Sequence, residues 1–206
     1  MGGVNMKIGI MGGTFNPIHN GHLSLADAAL KQYNLDEVWF MPSGLPAHKA
    51  NDELLPADIR LHLVKLAIGS QDKIKASSFE IDRDGFTYTA DTMDALTKEF
   101  PEDDFYFIIG GDSLMKFHKW VKPAVISAHA TLLAAGRNGY TLDELKNQAQ
   151  ALKEQFQTKV FFVEMPELVI SSNAIRSFCK MQQYTAIQAL VPEAVYQYIL
   201  EHELWK

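Results

Sequence analysis

The chain has 206 residues, 47% of them hydrophobic and 21% charged, so it is long enough to bury one substantial core and too apolar to be disordered. Its formal net charge of −6 argues against a nucleic-acid backbone as the main ligand, because proteins that bind one normally carry a basic face. No apolar run approaches the roughly 20 residues of a membrane span. The N-terminal residues lack the hydrophobic region of a secretory signal. We therefore expect a cytoplasmic protein with neither nucleic acid nor membrane among its partners.

The chain contains one cysteine, Cys179, which excludes an intrachain disulfide and a thiolate metal cluster. It lies in the stretch IRSFCK, on the apolar side of a short predicted helix, and no base adjoins it in the sequence. We expect a buried, inert thiol. The sequence does not set the oligomeric state, and a homo-oligomer is compatible with it.

Six apolar, β-rich runs recur along the chain, and most are continuous rather than alternating. Such runs are typical of parallel strands covered on both faces. They span residues 6–11, 37–41, 73–77, 105–109, 131–135 and 159–163. Residues 1–5 are expected to precede the first strand as a short extension.

Helical patterns lie between these predicted strands. In the first of them, one apolar face is formed by Leu23, Ala26, Leu30 and Tyr33. Another helix is predicted over residues 89–100, and Thr141 with Glu144 has the spacing of a capping box. After residue 163 only short helices are expected, the last with Pro192 in its first turn. This alternation predicts one α/β domain: a Rossmann-like, doubly wound parallel sheet over about residues 6–165, with a small helical part over about 166–206.

The stretch GGTFNPIHNGHL begins at Gly12, directly after the first predicted strand, where ligands sit in open α/β sheets. Gly12 and Gly13 let backbone amides approach a phosphate, and Asn20 is a good N-cap for the following helix. The first turn of that helix offers unpaired N–H groups to an anion. His19 and His22 then point at the same oxygens, where imidazoles stand in for the usual lysine. A zinc pair and two structural histidines are the alternatives.

GTFNPIHNGH resembles the G-x-F-x-P-x-H-x-G-H signature of the nucleotidyltransferase superfamily with the HxGH motif. A second stretch, ISSNAIR at residues 170–176, is similar to that superfamily's I-S-S-T-x-I-R. Ser171 or Ser172 can cap a helix there, and Arg176 offers a planar fork to phosphate. The departure is Asn173, where the superfamily usually has threonine. Asparagine keeps a polar side chain, so we expect triphosphate binding to survive.

Further segments resemble the bacterial nicotinate-nucleotide adenylyltransferases along essentially the whole chain. They are GGTFNP, WFMPSGLPAHK, GFTYTADTM and FIIGGDSLMKFHKW. The resemblance implies transfer of the adenylyl group of ATP to nicotinate mononucleotide, with deamido-NAD and pyrophosphate as products. It also implies Mg²⁺ bound with ATP rather than in a dedicated carboxylate cage.

The resemblance implies three sets of site residues. The catalytic residues would be His19, His22 and Arg176. ATP would contact Gly12, Gly13, Thr14, Phe15, His19, His22, Gly110, Asp112, Arg137, Ile170, Ser171, Ser172 and Arg176. Nicotinate mononucleotide would contact Asn16, His48, Lys49, Thr87, Tyr88, Thr89 and Trp120.

Some of these residues have a second interpretation, since Trp120 could simply pack, Asp112 could cap a helix, and the segment 87–89 could cap another. The function also has alternatives. One is a sister transferase acting on nicotinamide mononucleotide or phosphopantetheine. The others are a regulatory protein that binds nucleotide without turnover and a zinc hydrolase.

Overall fold

A computed structural model describes residues 5–46, 53–135, 139–166 and 168–206 of the chain. Six parallel strands form the central sheet, and all six were predicted. They are β1 Lys7–Gly13, β2 Glu37–Pro42, β4 Ile74–Ala76, β6 Asp104–Ile109, β7 Ala130–Ala135 and β8 Val160–Val163. Two further strands, β3 Leu45–Pro46 and β5 Phe86–Thr87, pair in parallel as a separate small sheet. A strand of two residues shows no periodicity, so this pair was not predictable from the sequence.

Helices follow most of the strands. They are α1 Asn20–Gln32, α2 Ala57–Ile68, α3 Thr89–Glu99, α4 Gly111–Lys116, α5 Pro123–His129, α6 Leu142–Phe156, α7 Ser172–Lys180 and α8 Glu193–Glu201. Short 3₁₀ turns cover Phe117–Lys119 and Tyr184–Ala186. Within the described residues, none of the helices has the length and apolar character needed to cross a bilayer.

The strand order of the central sheet is β4-β2-β1-β6-β7-β8. Counting only these six strands along the chain, the order is 3-2-1-4-5-6, that of a doubly wound α/β sheet. The order reverses between β1 and β6, which pair from Lys7 with Asp104 to Ile10 with Phe107. Connections leave these two strands toward opposite faces, so a crevice opens beyond their carboxyl ends.

Each face of the sheet has its own buried core. On one face α1, α2, α7 and α8 pack over residues such as Phe40 and Ile108. On the other face α3, α4, α5 and α6 pack over Ile8, Ile10 and Phe107. Because both faces are covered, the strands read as continuous apolar runs. Cys179 lies fully inside the first core, where burial raises the pKa of its thiol to about 11, as expected of an inert cysteine.

Helix ends confirm one cap prediction and correct another. Thr141 and Glu144 form the predicted capping box at the start of α6. The N-cap of α1 is His19, and the prediction of Asn20 was wrong by one residue. Asn20 is the first helical residue, and its side-chain amide donates to the carbonyl of Ala189 at 3.0 Å. Pro192 likewise precedes the first turn of α8 rather than lying inside it.

Candidate active site

A cavity of about 1020 Å³ opens at the crevice between β1 and β6. Its walls come from the end of β1, the end of β6 and the first turns of α1, α4 and α7. This is the position where an open α/β sheet binds ligands, and three helix N-termini at one cavity favour an anion. The residues predicted from the two sequence motifs therefore meet in one place, although about 150 residues separate the motifs in the chain.

The loop between β1 and α1 is shaped by aromatic packing. Phe15 is buried, has a positive φ of 49° and packs against Phe40 with ring centroids 5.5 Å apart. A Cβ on Gly13 would lie 3.0 Å from the Phe15 ring, and one on Gly12 would lie 3.2 Å from Phe107. The sequence suggested that these glycines let a phosphate approach. The structure adds a second reason, because neighbouring rings occupy the space that a side chain would need.

The two histidines of the first motif stack on each other. Their ring centroids are 3.6 Å apart and their planes are inclined by 21°. The His19 backbone N–H donates to Nδ1 of His22 at 3.3 Å, so a neutral His22 carries its proton on Nε2. The rings of His22 and Phe15 also meet edge to face, with centroids 5.1 Å apart. These contacts fix both rings at the helix entrance, as the motif predicted.

His19 is nearly buried, with 7% of its surface exposed. This burial lowers the pKa of its imidazole from 6.5 to about 4, so the ring is neutral near pH 7. Its Nδ1 atom faces the His22 backbone N–H in the capping box of α1 but makes no hydrogen bond of good geometry among residues 5–46, 53–135, 139–166 and 168–206. Gly21 lies against the same atom, since a Cβ there would be 3.1 Å from Nδ1. A buried polar atom without a partner at a cavity wall is a candidate ligand contact.

The second motif is tied to the first by a hydrogen bond. Ser171 is the N-cap of α7 and accepts the Ala174 N–H at 3.2 Å. The Ser172 hydroxyl donates to the carbonyl of Pro17 at 2.8 Å, so its proton is not available to a ligand. Ser171, Ser172 and the preceding Ile170 all line the large cavity. The predicted contacts of these two serines with phosphate therefore rest mainly on the amides of α7.

Arg176 also lines the large cavity, and three oxygen atoms hold its guanidinium. Nε donates to Glu53 Oε2 at 3.0 Å, one terminal nitrogen to the Asn16 carbonyl at 3.0 Å, and the other to Asn173 Oδ1 at 3.1 Å. Glu53 also pairs with Lys180, and these two partners lower the pKa of its carboxyl, Lys180 more than Arg176. Glu53 was not predicted from the sequence, because it is far from both motifs and belongs to no pattern of its own.

Asn16 has a structural task. It is 6% exposed, its amide nitrogen donates to the Glu53 carbonyl at 2.9 Å, and its amide oxygen accepts the Leu55 N–H at 3.1 Å. It also lines the large cavity. Its assignment to the mononucleotide stays a prediction, while its hydrogen bonds fix the backbone at residues 53–55.

A second cavity, of about 450 Å³, adjoins the first. The two cavities share Trp120 and the end of the β1 strand with its loop, namely Gly12, Gly13 and Thr14. Trp120 packs edge-to-face on Phe107 with centroids 6.0 Å apart and also lines both cavities. Both interpretations of this tryptophan, packing and ligand contact, are therefore compatible with its position.

The second cavity gathers the predicted segment 87–89. Tyr88 is the N-cap of α3 and Thr89 is its first residue, so the N-terminal end of this helix lies at the cavity wall. The hydroxyls of Thr87 and Ser43 are buried and lack a hydrogen-bond partner within the described part of the chain. Unpartnered hydroxyls beside a helix N-terminus suit a ligand with an acceptor group, such as a carboxylate.

Charged residues of the second cavity were missed by the sequence analysis. Lys116 and Lys119 line it, and so does Glu80, which is 7% exposed. Burial raises the pKa of the Glu80 carboxyl, although the Thr92 hydroxyl donates to it at 2.8 Å. The Thr87 hydroxyl also favours the charged form of Glu80 and so lowers its pKa, although its geometry is not that of a hydrogen bond. The sequence could have indicated these residues by their neighbours, because Lys119 adjoins Trp120 and Glu80 shortly precedes Thr87.

The remaining predicted residues divide into two groups. Gly110 is the N-cap of α4 and Asp112 lies exposed in its first turn, and both line the large cavity. The alternative that Asp112 caps this helix was therefore wrong. The others, His48, Lys49 and Arg137, lie outside the described residues. In the described ranges, no group of three or more His, Cys, Asp or Glu residues is arranged to hold a metal ion.

A doubly wound sheet with paired histidines, an arginine and helix N-termini around a cavity at the switch point is the arrangement of a nucleotide-binding protein. Comparisons with known proteins agree. The sequence model of the cytidylyltransferase-like family matches residues 10–178. The protein named "Probable nicotinate-nucleotide adenylyltransferase" in Lachnoclostridium phytofermentans is 44% identical over 196 residues, which cover 95% of this chain and 97% of the relative. A protein of the same name in Clostridium tetani is 38% identical over 200 residues, covering 97% and 99%.

Solved structures show the same fold. The nicotinic acid mononucleotide adenylyltransferase of Plasmodium falciparum, complexed with NaAD, matches with a TM-score of 0.82 at 20% identity, covering 98% of each chain. The same enzyme complexed with APC matches with a TM-score of 0.79. The chain belongs to the cytidylyltransferase-like family and, within it, to the bacterial nicotinate-nucleotide adenylyltransferases.

Proposed function

We propose that the protein transfers the adenylyl group of ATP to the phosphate of nicotinate mononucleotide, giving deamido-NAD and pyrophosphate in the cytoplasm. The observation that carries this proposal is the pair of cavities that share Trp120 and residues 12–14. Two substrates bound in adjoining cavities present their reacting phosphates to each other over the shared glycine loop. The names of the 44% and 38% identical relatives support the same reaction.

The large cavity suits ATP. It combines His19, His22 and Arg176 with the N-termini of α1 and α7, which together meet the charge of a triphosphate. Gly110 and Asp112, at the start of α4, then lie on the nucleoside side. The small cavity suits the mononucleotide, because Trp120 offers a ring for stacking on the pyridine.

The chemistry needs no covalent intermediate. An oxygen of the mononucleotide phosphate attacks the α-phosphorus of ATP in line, a new P–O bond forms, and the bond to the bridging oxygen breaks with pyrophosphate as the leaving group. The attacking phosphate is already anionic near neutral pH, so no strong base is required. Catalysis then consists of positioning and of stabilising charge at the α-phosphate and at pyrophosphate.

His19 and His22 are placed to stabilise that charge. His19 is neutral near pH 7 because its pKa is lowered, so it contributes a hydrogen bond rather than a full positive charge. Arg176 supplies the permanent charge, and we assign it to the β- and γ-phosphates together with the amides of Ser171 and Ser172. Mg²⁺ enters as part of the ATP complex, where it neutralises phosphate charge, and it belongs to the substrate.

The small cavity favours the acid over the amide. The hydroxyls of Ser43 and Thr87, the first turn of α3 and the cations Lys116 and Lys119 all suit a carboxylate on the ring. One observation favours nicotinamide mononucleotide as the second candidate, since the Glu80 carboxylate at the same wall could accept an amide N–H. The donors outnumber this single acceptor, so we propose the acid as the preferred substrate.

Labelled ATP distinguishes adenylyl transfer from other phosphate chemistry. With Mg²⁺ and nicotinate mononucleotide, label at the α-phosphate should appear in a dinucleotide, and label at the γ-phosphate should appear only in pyrophosphate. Release of γ-label as inorganic phosphate, with no labelled dinucleotide, would contradict the proposal. A reaction without the mononucleotide measures the background hydrolysis of ATP.

A further inference from the structure

Arg176 does not reach the large cavity as a free side chain. Its guanidinium has five N–H groups, and Glu53, Asn173 and the Asn16 carbonyl engage one group on each of its three nitrogens. Among the residues that the structure describes, two groups remain, one on each terminal nitrogen, and these can bind phosphate oxygens. Only 14% of the side chain is exposed, so its orientation is set within the protein before any ligand arrives.

We propose that Glu53 is a positioning residue that, with Asn173, holds Arg176 in the orientation in which it receives the phosphates of ATP. The inference rests on the proposed function for ATP as the ligand of the large cavity, and it does not depend on the identity of the second substrate. Glu53 acts through Arg176, since it is not among the residues that line the large cavity.

The backbone of Glu53 is fixed independently of its side chain. Its carbonyl accepts the Asn16 amide and the Trp205 indole N–H, both at 2.9 Å. These bonds connect three distant parts of the chain at one residue: the loop after β1, residue 53 and the C-terminal Trp205. Because they use a main-chain atom, a change of the Glu53 side chain leaves this junction in place.

Charge neutralisation is the competing effect, because a carboxylate beside Arg176 weakens its attraction for phosphate. Lys180 offsets this effect, since it pairs with the other carboxylate oxygen of Glu53. The group of Arg176, Lys180 and Glu53 keeps a net charge of +1. Orienting an otherwise flexible arginine is then the larger contribution of Glu53, because fixing its many rotamers in advance reduces the entropy lost on binding.

Asn173 provides the second restraint and stands where the superfamily usually has threonine. Its side-chain oxygen accepts from Arg176 one turn further along α7. From the sequence we expect only that a polar group at this position preserves triphosphate binding. The structure assigns that polar group a partner, so the residue acts on the arginine rather than on the nucleotide.

The test compares side chains that keep or remove the acceptor oxygen. Glu53→Gln keeps an oxygen for Nε, whereas Glu53→Met removes it at similar length. We expect Glu53→Met to raise the KM for ATP about tenfold and Glu53→Gln to raise it by about threefold or less. Asn173→Ala should also raise it several-fold. The KM for the mononucleotide should stay unchanged in all three. Glu203→Gln, at the exposed Lys206 pair, is the matched control and should behave as wild type.

Equilibrium binding separates this inference from the proposed function. The Kd of α,β-methylene ATP with Mg²⁺, measured by calorimetry without any mononucleotide, should show the same order of variants as the KM for ATP. If that order holds while wild type forms no dinucleotide, the positioning role stands and the proposed function fails. If Glu53→Met and Glu53→Gln bind the analogue alike, or if Glu53→Met binds it more tightly than wild type, the positioning role is overturned. Thermal unfolding confirms that each variant is folded.

Discussion

His19 and His22 lie with their imidazole rings stacked, centroids 3.6 Å apart, at the entrance of α1. Two cationic rings at this distance would repel each other strongly, and the burial of His19 avoids that state by keeping its ring neutral. The pair therefore works near pH 7 without a doubly charged form. Arg176 and the helix N-termini supply permanent positive charge that attracts the triphosphate.

Protonation of His19 should destabilise the fold. Its pKa is about 4 in the folded protein and about 6.5 when unfolded, so the unfolded state binds more protons between these values. Stability is unaffected above pH 6.5 and is lost as pH falls from 6.5 to 4, by at most about 3 kcal/mol. Urea unfolding at pH 7 and pH 4.5 measures this loss. His19→Asn, which keeps a good N-cap, should lose less stability on acidification. Parallel losses in both proteins would contradict the assignment.

Replacing Gly21 with alanine should lower activity without a matching loss of stability. Alanine in the first turn of α1 favours the helix by roughly 0.5–1 kcal/mol. Its Cβ would meet His19 Nδ1 at 3.1 Å, and the stacked ring has little room to move. We expect an unchanged or higher melting temperature and a fall in kcat of about tenfold or more. Lys31→Ala, on an exposed position of the same helix, is the control. A Gly21→Ala variant with full activity would show that the ring position is not critical.

The hydrogen bond from Ser172 to Pro17 should matter more than a similar bond within α7. Ser172→Ala removes the 2.8 Å link between the two motifs and should cost about 1 kcal/mol of stability and raise the KM for ATP several-fold. Ser177→Ala removes an exposed bond to the Asn173 carbonyl in the same helix and should have little effect. Denaturant unfolding and initial rates measure both effects. Equal effects of the two changes would rule out a special role for the link.

Substitution of Trp120 should raise the KM for the mononucleotide more than the KM for ATP. We expect Trp120→Leu to raise the KM for nicotinate mononucleotide about tenfold, because the stacking surface is lost, while Trp120→Phe keeps part of it. The control is Trp39→Leu, since Trp39 packs on Phe100 and its indole N–H donates to Glu37, away from both cavities. A larger effect on the KM for ATP than on the KM for the mononucleotide would show that Trp120 contacts ATP instead.

The fold was largely predictable because both faces of its sheet are buried. Full burial makes each main strand a continuous apolar run, and the strands and helices of the chain alternate accordingly. The pair β3 and β5 was not predictable, because two-residue strands have no period. The start of α1 was misplaced by one residue, because asparagine is a common N-cap and histidine is not. The partition into one domain with a helical C-terminal part remains a prediction.

The site residues that belong to sequence motifs were predictable, and those that reach the site only through tertiary packing were not. The positions of His19, His22 and Arg176 around one cavity follow from two motifs at the same edge of the sheet. Glu53 and Glu80 were missed, because their roles depend on contacts across the fold: with Arg176, 123 residues away, and with Thr92. Long-range contacts of this kind have no local sequence pattern.

The most direct test of the central claim is pyrophosphate release with ATP and Mg²⁺, comparing nicotinate and nicotinamide mononucleotides at equal concentrations. We predict release with the acid and a kcat/KM about 10²-fold higher than with the amide, because the small cavity presents more donors than acceptors. Release with phosphopantetheine alone would place the chain in another branch of the same reaction type. No release with either mononucleotide would contradict the account.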